Sequence, residues 1–145
     1  MPGIRVTGTV AVVGLGAIGS RIAARLHDAG YATLVWNRDP HVAEHLVEMG
    51  ATAVASPAEA AARADTVIVA VADPAALVAV TEGPDGIASG AHSGTQVIVM
   101  STVGPAAVAR LALSLPERAE ALDAPFLGSL AEADEGRLHT DWRLS

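Results

Sequence analysis

Residues 9–19 read TVAVVGLGAIG, a β-branched apolar run that breaks into Gly14-x-Gly16-x-x-Gly19. A second apolar run, Ala32 to Trp36, follows at the distance a helix needs and ends in Asn37-Arg38. Strand, tight glycine turn, helix and second strand, in that order, make the sequence pattern of a dinucleotide site. Each glycine has its own task in that pattern. Gly14 permits the sharp turn off the strand, Gly16 leaves no side chain where a pyrophosphate must approach, and Gly19 lets helix and strand pack closely. The amides and positive dipole end at Ala17 and Ile18, with Leu15 in the same turn, are then expected to bind the phosphates. Glycine turns also serve as plain connections, so the flanking strands and helix carry the weight here. Methyltransferase-type sites use such a turn too. They usually place an acidic residue two positions before the first glycine, where this chain has Val12.

The end of the second strand selects the ribose. An NAD site needs a carboxylate there to accept from the 2′-hydroxyl. Asn37 carries no charge to repel a 2′-phosphate, and Arg38 offers a planar fork of donors that matches one. Asp39 stands before Pro40 and suits a helix cap better. NADP is therefore the expected cofactor.

The bulk numbers fit one soluble-type domain. At 145 residues the chain can bury about two-thirds of its unfolded surface. Hydrophobic residues make up 51%, but only Tyr31, Trp36, Phe126 and Trp142 are aromatic, so the core is aliphatic and small-residue. No cysteine occurs, which excludes disulfides and thiolate metal sites and makes a cytoplasmic address the expectation. No signal peptide or membrane span is legible. The net charge of −7 argues against nucleic acid and anionic membranes as partners.

Strand-like runs alternate with helical segments. The strands are expected at Thr7–Leu15, Ala32–Trp36, Ala51–Val54, Thr66–Ala72, Gln96–Met100 and Ala119–Leu122. Most are continuously apolar, as expected when both faces of a parallel sheet are covered. Asp39-Pro40, Ser56-Pro57 and Asp73-Pro74 each place a capping residue before a proline at the first helical position. Glu59, three residues after Ser56, completes a capping box. Gly30 and Gly50 mark the ends of the first two helices. Ile18, Ile22 and Leu26 form the stripe the first helix turns to the sheet, with Arg21, Arg25 and Asp28 facing water. Gly83 to Gly94 reads as a loop. The alternation predicts a single-domain α/β fold with a doubly wound, mostly parallel, Rossmann-like sheet.

With these residues in hand, the chain resembles the N-terminal domain of the β-hydroxyacid dehydrogenase family, which includes 3-hydroxyisobutyrate and 6-phosphogluconate dehydrogenases and the related imine reductases. The resemblance runs from about Thr9 to Leu138. It rests on residues 14–19, Trp36-Asn37-Arg38, Ser101-Thr102-Val103-Gly104-Pro105, and Asp123-Ala124-Pro125 followed by Gly128. It implies that Gly14, Gly16 and Gly19 hold the pyrophosphate and that Asn37 and Arg38 meet the 2′-phosphate. It also implies that Val71 and Ala72 line the path toward the nicotinamide, with Ser101 and Thr102 near nicotinamide and substrate. Ser101, Asp123 and Gly128 are the implied substrate contacts. Ser101 and Thr102 would also serve simply as caps of the next helix. Where small-hydroxyacid members carry a hydroxyl after Asp-Ala-Pro, this chain has Leu127, which implies a bulkier or less acidic substrate.

The implied reaction is hydride transfer between nicotinamide and a carbon bearing a hydroxyl or amine. In hydroxyacid members a lysine on a later helix manages the proton. All nine basic residues here are arginine, whose pKa is too high for that role. No catalytic residue is therefore assigned. Residues 1–138 are expected to form the NADP-binding domain and 139–145 an atypical tail, as in a truncated or frame-shifted dehydrogenase lacking the helical domain. A small-molecule substrate is expected if a helical domain is supplied; a homo-oligomer or a partner chain stays open. The rival reading is a catalytically silent NADP-binding module acting with a partner chain. His41-Val-Ala-Glu44-His45 has the order of a zinc-protease helix but falls on a face expected to be solvated, so no metal is assigned.

Overall fold

Parallel pairing throughout follows from how the strands are joined. Successive strands are joined by crossovers that carry the chain back to the edge of the sheet it started from. The computed structural model describes residues 8–100 and 103–124. Among these, β1 (Thr9–Val13), β2 (Ala32–Trp36), β3 (Thr52–Ala53), β4 (Thr66–Val69), β5 (Gln96–Val99) and β6 (Glu120–Asp123) form one sheet of order β3-β2-β1-β4-β5-β6. Every pair in it is parallel. The expected doubly wound α/β sheet is therefore present.

Helices α1 (Ala17–Asp28), α2 (Glu44–Met49), α3 (Pro57–Arg63), α4 (Pro74–Thr81), α5 (Ile87–Gly90) and α6 (Pro105–Ser114) flank it. Alternate residues of β1 serve opposite faces. Val10 and Val12 join Ile22 and Leu26 of α1 in one core, while Ala11 and Val13 join Ala61, Leu77, Ile87 and Leu111 in the other. Burial on both sides explains the unbroken apolar runs.

The capping signals act as expected. Asp39 accepts from the amide of His41 at 3.0 Å, Ser56 from Glu59 at 3.1 Å and Asp73 from Ala76 at 2.8 Å. Asp39 caps a short 3-10 turn, Pro40–Ala43, that leads into α2. Gly30 and Gly50 adopt φ of +96° and +118° at the ends of α1 and α2.

Several boundaries differ from expectation. β1 stops at Val13 because Gly14 turns the chain with φ +97°. β4 stops at Val69, so Val71 and Ala72 belong to the loop after it. β3 is shorter than Ala51–Val54, β5 ends one residue before Met100, and β6 is shifted one residue later than Ala119–Leu122. The Gly83–Gly94 segment is more than a loop, because it contains α5, pinned by the fully buried Ile87. The expected strand start at Thr7, and the expected tail at 139–145, lie outside the described residues.

Candidate coenzyme-binding site

Five strands end level. Val13 is in register with Trp36 on one side and Val69 on the other, Val69 with Val99, and Val99 with Asp123. The next residue of each of four strands adds a last rung: Gly14 donates to Trp36, Ala70 to Val13, Met100 to Val69 and Ala124 to Val99. Register thus delivers the glycine turn, Asn37-Arg38, Val71-Ala72 and Asp123 to one rim, the carboxyl edge. β1 lies between β2 and β4, where the winding reverses, which is where open α/β sheets bind ligands.

The three glycines occupy different surroundings. A Cβ on Gly14 would sit 2.2 Å from the Ala70 carbonyl oxygen, and one on Gly19 would sit 1.9 Å from the carbonyl oxygen of Gly14. These two positions are therefore closed to any side chain. Gly16 has φ −72° and nothing within 4 Å of a Cβ placed on it. It is exposed, as is Ala17, and it starts α1 without any side-chain cap. The first amides of that helix, including Ala17 and Ile18, have no acceptor within the helix. Space, free donors and a positive dipole end coincide at Gly16, and this is the environment a diphosphate requires. Leu15 is buried, and its amide is already engaged, donating to Asn37 Oδ1 at 2.9 Å.

Asn37 also donates through Nδ2 to the carbonyl of Asp39 at 3.1 Å. Next to it, Arg38 is exposed and, among the described residues, has no hydrogen bond or ion pair. It lines a cavity of about 330 Å³ with Trp36, Asn37, Pro40, Ala43 and the β3 end at Val54 and Ala55. Of these, sequence reasoning named Asn37 and Arg38 as coenzyme contacts and missed Pro40, Ala43, Val54 and Ala55. The adjacency of β3 to β2, set by the amide of Val54 donating to Val35, was the available signal. A cavity of about 460 Å³ lies at the opposite rim, near the strand starts Thr9, Ala32 and Thr52. The glycines that line it, Gly30 and Gly50, end helices α1 and α2 and start none, so it offers no helix N-terminus to a diphosphate, and its larger size does not make it the coenzyme site.

The remaining expected positions divide. Val71 lies half-buried beside the turn, its Cγ1 3.3 Å from a Cβ placed on Gly14, and Ala72 is exposed. Asp123 is exposed at the end of β6. Ser101, Thr102 and Gly128 lie outside the described residues. The His41–Glu44–His45 segment is exposed, with His41 Nδ1 3.2 Å from Glu44 Oε1, and no metal-holding group of three forms among the described residues. Nor, among them, is any helix long and apolar enough to cross a membrane.

Residues 9–140 match the family model of the NAD binding domain of 6-phosphogluconate dehydrogenase. The chain belongs to that family. An uncharacterized oxidoreductase of Bacillus subtilis, YfjR, is 39% identical over 120 residues, which are 82% of this chain and 42% of that protein. The fold is similar to 3-hydroxyisobutyrate dehydrogenase from Salmonella typhimurium, with a TM-score of 0.78 and 30% identity, covering 89% of this chain and 45% of the other. It is also similar to an imine reductase from Pseudomonas sp., with a TM-score of 0.74 and 30% identity, over 87% and 43% of the two chains. The chain spans less than half the length of each of these relatives. What it shares with them is the NAD(P)-binding domain of the β-hydroxyacid dehydrogenase and imine reductase group.

Proposed function

We propose that this chain binds NADPH in preference to NADH and serves as the coenzyme half of an oxidoreductase. The observation that carries the coenzyme choice is Arg38, unpartnered among the described residues, lining a cavity at the sheet edge that also bears the glycine turn, with uncharged Asn37 where an NAD site needs a carboxylate. In this reading the amides of Gly16, Ala17 and Ile18 hold the pyrophosphate, flanked by Gly14, Leu15 and Gly19. Arg38 pairs with the 2′-phosphate, and the adenine side of the coenzyme occupies the cavity beside Trp36 and Val54. Val71 and Ala72 flank the route to the nicotinamide, Ser101 and Thr102 stand near its reactive ring, and Ser101, Asp123 and Gly128 border the substrate. When bound, the coenzyme supplies or accepts the hydride.

Proton handling is assigned elsewhere. The chain has no lysine, so the acid–base group that oxidation of a hydroxyl or reduction of an imine requires comes from a helical domain, in the same protein or a partner. The same absence of lysine supports a second reading, a catalytically silent NADP-binding module.

Titration with NADPH and NADH, followed by tryptophan fluorescence and that of the coenzyme, tests the assignment. Arg38→Ala is expected to weaken NADPH about 10- to 100-fold, the loss of a charge-assisted pair, and to leave NADH unchanged. Tighter binding of NADH than NADPH by the native chain would overturn the NADP assignment.

A further inference from the structure

The side chain of Asn37 faces the protein at both of its polar ends. Its Oδ1 accepts from the amide of Leu15, inside the glycine turn, at 2.9 Å, and its Nδ2 donates to the carbonyl of Asp39 at 3.1 Å. Turning the amide over would set Nδ2 against an N–H and Oδ1 against a carbonyl, two repulsions, so the orientation is fixed. The bond also has a place in the sheet. The amide of Gly14 donates to the Trp36 carbonyl as the rung beyond the β1–β2 ladder, and one residue later the Asn37 side chain stands in for the main chain.

We propose that Asn37 is a positioning residue that braces the glycine turn against the loop bearing Arg38, so that the pyrophosphate cradle and the phosphate-selecting cation move as one unit. This rests on the coenzyme site proposed above, but it assigns Asn37 a different task from direct contact with the 2′-phosphate. Two consequences separate the tasks. A brace matters to any coenzyme with a diphosphate, whether or not a 2′-phosphate is present. It also protects one particular backbone proton, that of Leu15.

The test combines binding with amide exchange. Asn37→Ala removes both side-chain bonds and is expected to weaken NADH and NADPH by the same factor, about five- to tenfold, whereas Arg38→Ala weakens NADPH alone. Asn37→Asp keeps the acceptor for Leu15 but loses the donor to the Asp39 carbonyl, so it is expected to recover part of the NADH binding lost in Asn37→Ala while NADPH stays weak, because a negative charge now stands next to the site of the 2′-phosphate. In the coenzyme-free protein, hydrogen exchange by NMR should speed up at Leu15 in Asn37→Ala and slow again toward the native rate in Asn37→Asp, with Gly14 as an unchanged reference. Loss confined to NADPH in Asn37→Ala, or an unaltered Leu15 exchange rate, would overturn the brace. A native chain that binds neither coenzyme would defeat the proposed function instead, and the Leu15 measurement would still decide the brace.

Discussion

Gly16 and Gly19 stand one helical turn apart and make opposite demands on a substituting residue. At Gly19 a methyl group would be driven into the backbone oxygen of Gly14 at 1.9 Å, and backbone cannot rotate aside as a side chain can. At Gly16 the φ of −72° is open to any L-residue and the space is empty. Gly19→Ala is therefore expected to lower stability by about 1–3 kcal/mol, the usual range for overpacking. Gly16→Ala should keep the native urea midpoint yet lose affinity for both NADH and NADPH, because its methyl occupies the space assigned to the diphosphate. Urea denaturation alongside coenzyme titration checks both. A Gly16→Ala variant that binds normally would show that the diphosphate does not approach there. The spacing of the glycines was legible from the chain, since turn and helix are local. The pressure of the Ala70 carbonyl on Gly14 was not, because it arises only when β4 is laid beside β1.

Elements were legible wherever their signals lie within a few residues. Asp39, Ser56 and Asp73 each find the amide expected of a cap, because that amide is two or three residues away. The capping box differs in one detail, since Glu59 Oε1 accepts from Ala55 at 2.8 Å and not from Ser56 itself. Helix α5 was illegible for the converse reason. Four residues in a glycine-rich stretch have no helical propensity to speak of. What holds them is tertiary: Ile87 is fully buried, Gly90 fits against the Ala58 carbonyl where a Cβ would lie at 1.9 Å, and the Ala58 amide donates to Asp85. Two substitutions measure these contributions. Asp73→Ala should cost about 1 kcal/mol, the worth of one cap. Ile87→Ala should cost about 2–5 kcal/mol if the segment is a packed part of the core. Were Ile87→Ala as mild as Asp73→Ala in denaturant, the segment would be a surface loop after all.

Across the whole molecule, the doubly wound sheet followed from strand and helix alternation, and the sheet edge that gathers the site followed from the parallel register. What lay beyond sequence reading were contacts between elements far apart in the chain, and one of these links α4 to α6 across the sheet face. Arg110 grips Glu82 with two hydrogen bonds, Nε to Oε2 at 2.5 Å and Nη2 to Oε1 at 2.9 Å. Those bonds hold the Glu82 carboxyl below its ordinary pKa and raise that of Arg110, with the opposite charge adding to both shifts and desolvation opposing them. A carboxyl whose pKa is lowered in the folded state binds fewer protons folded than unfolded. Its stabilisation is then complete above the ordinary glutamate value and fades as pH falls through the lowered one. Glu82→Gln removes the charge at every pH. The gap in urea midpoint between native protein and Glu82→Gln should accordingly be widest near neutrality and close as the pH is taken down to about 3. Both groups are accessible to solvent, so the gap should be modest and should also shrink in high salt. A gap that persists unchanged in acid would mean that the substitution itself perturbs packing between α4 and α6, and that the ion pair contributes nothing to holding them together.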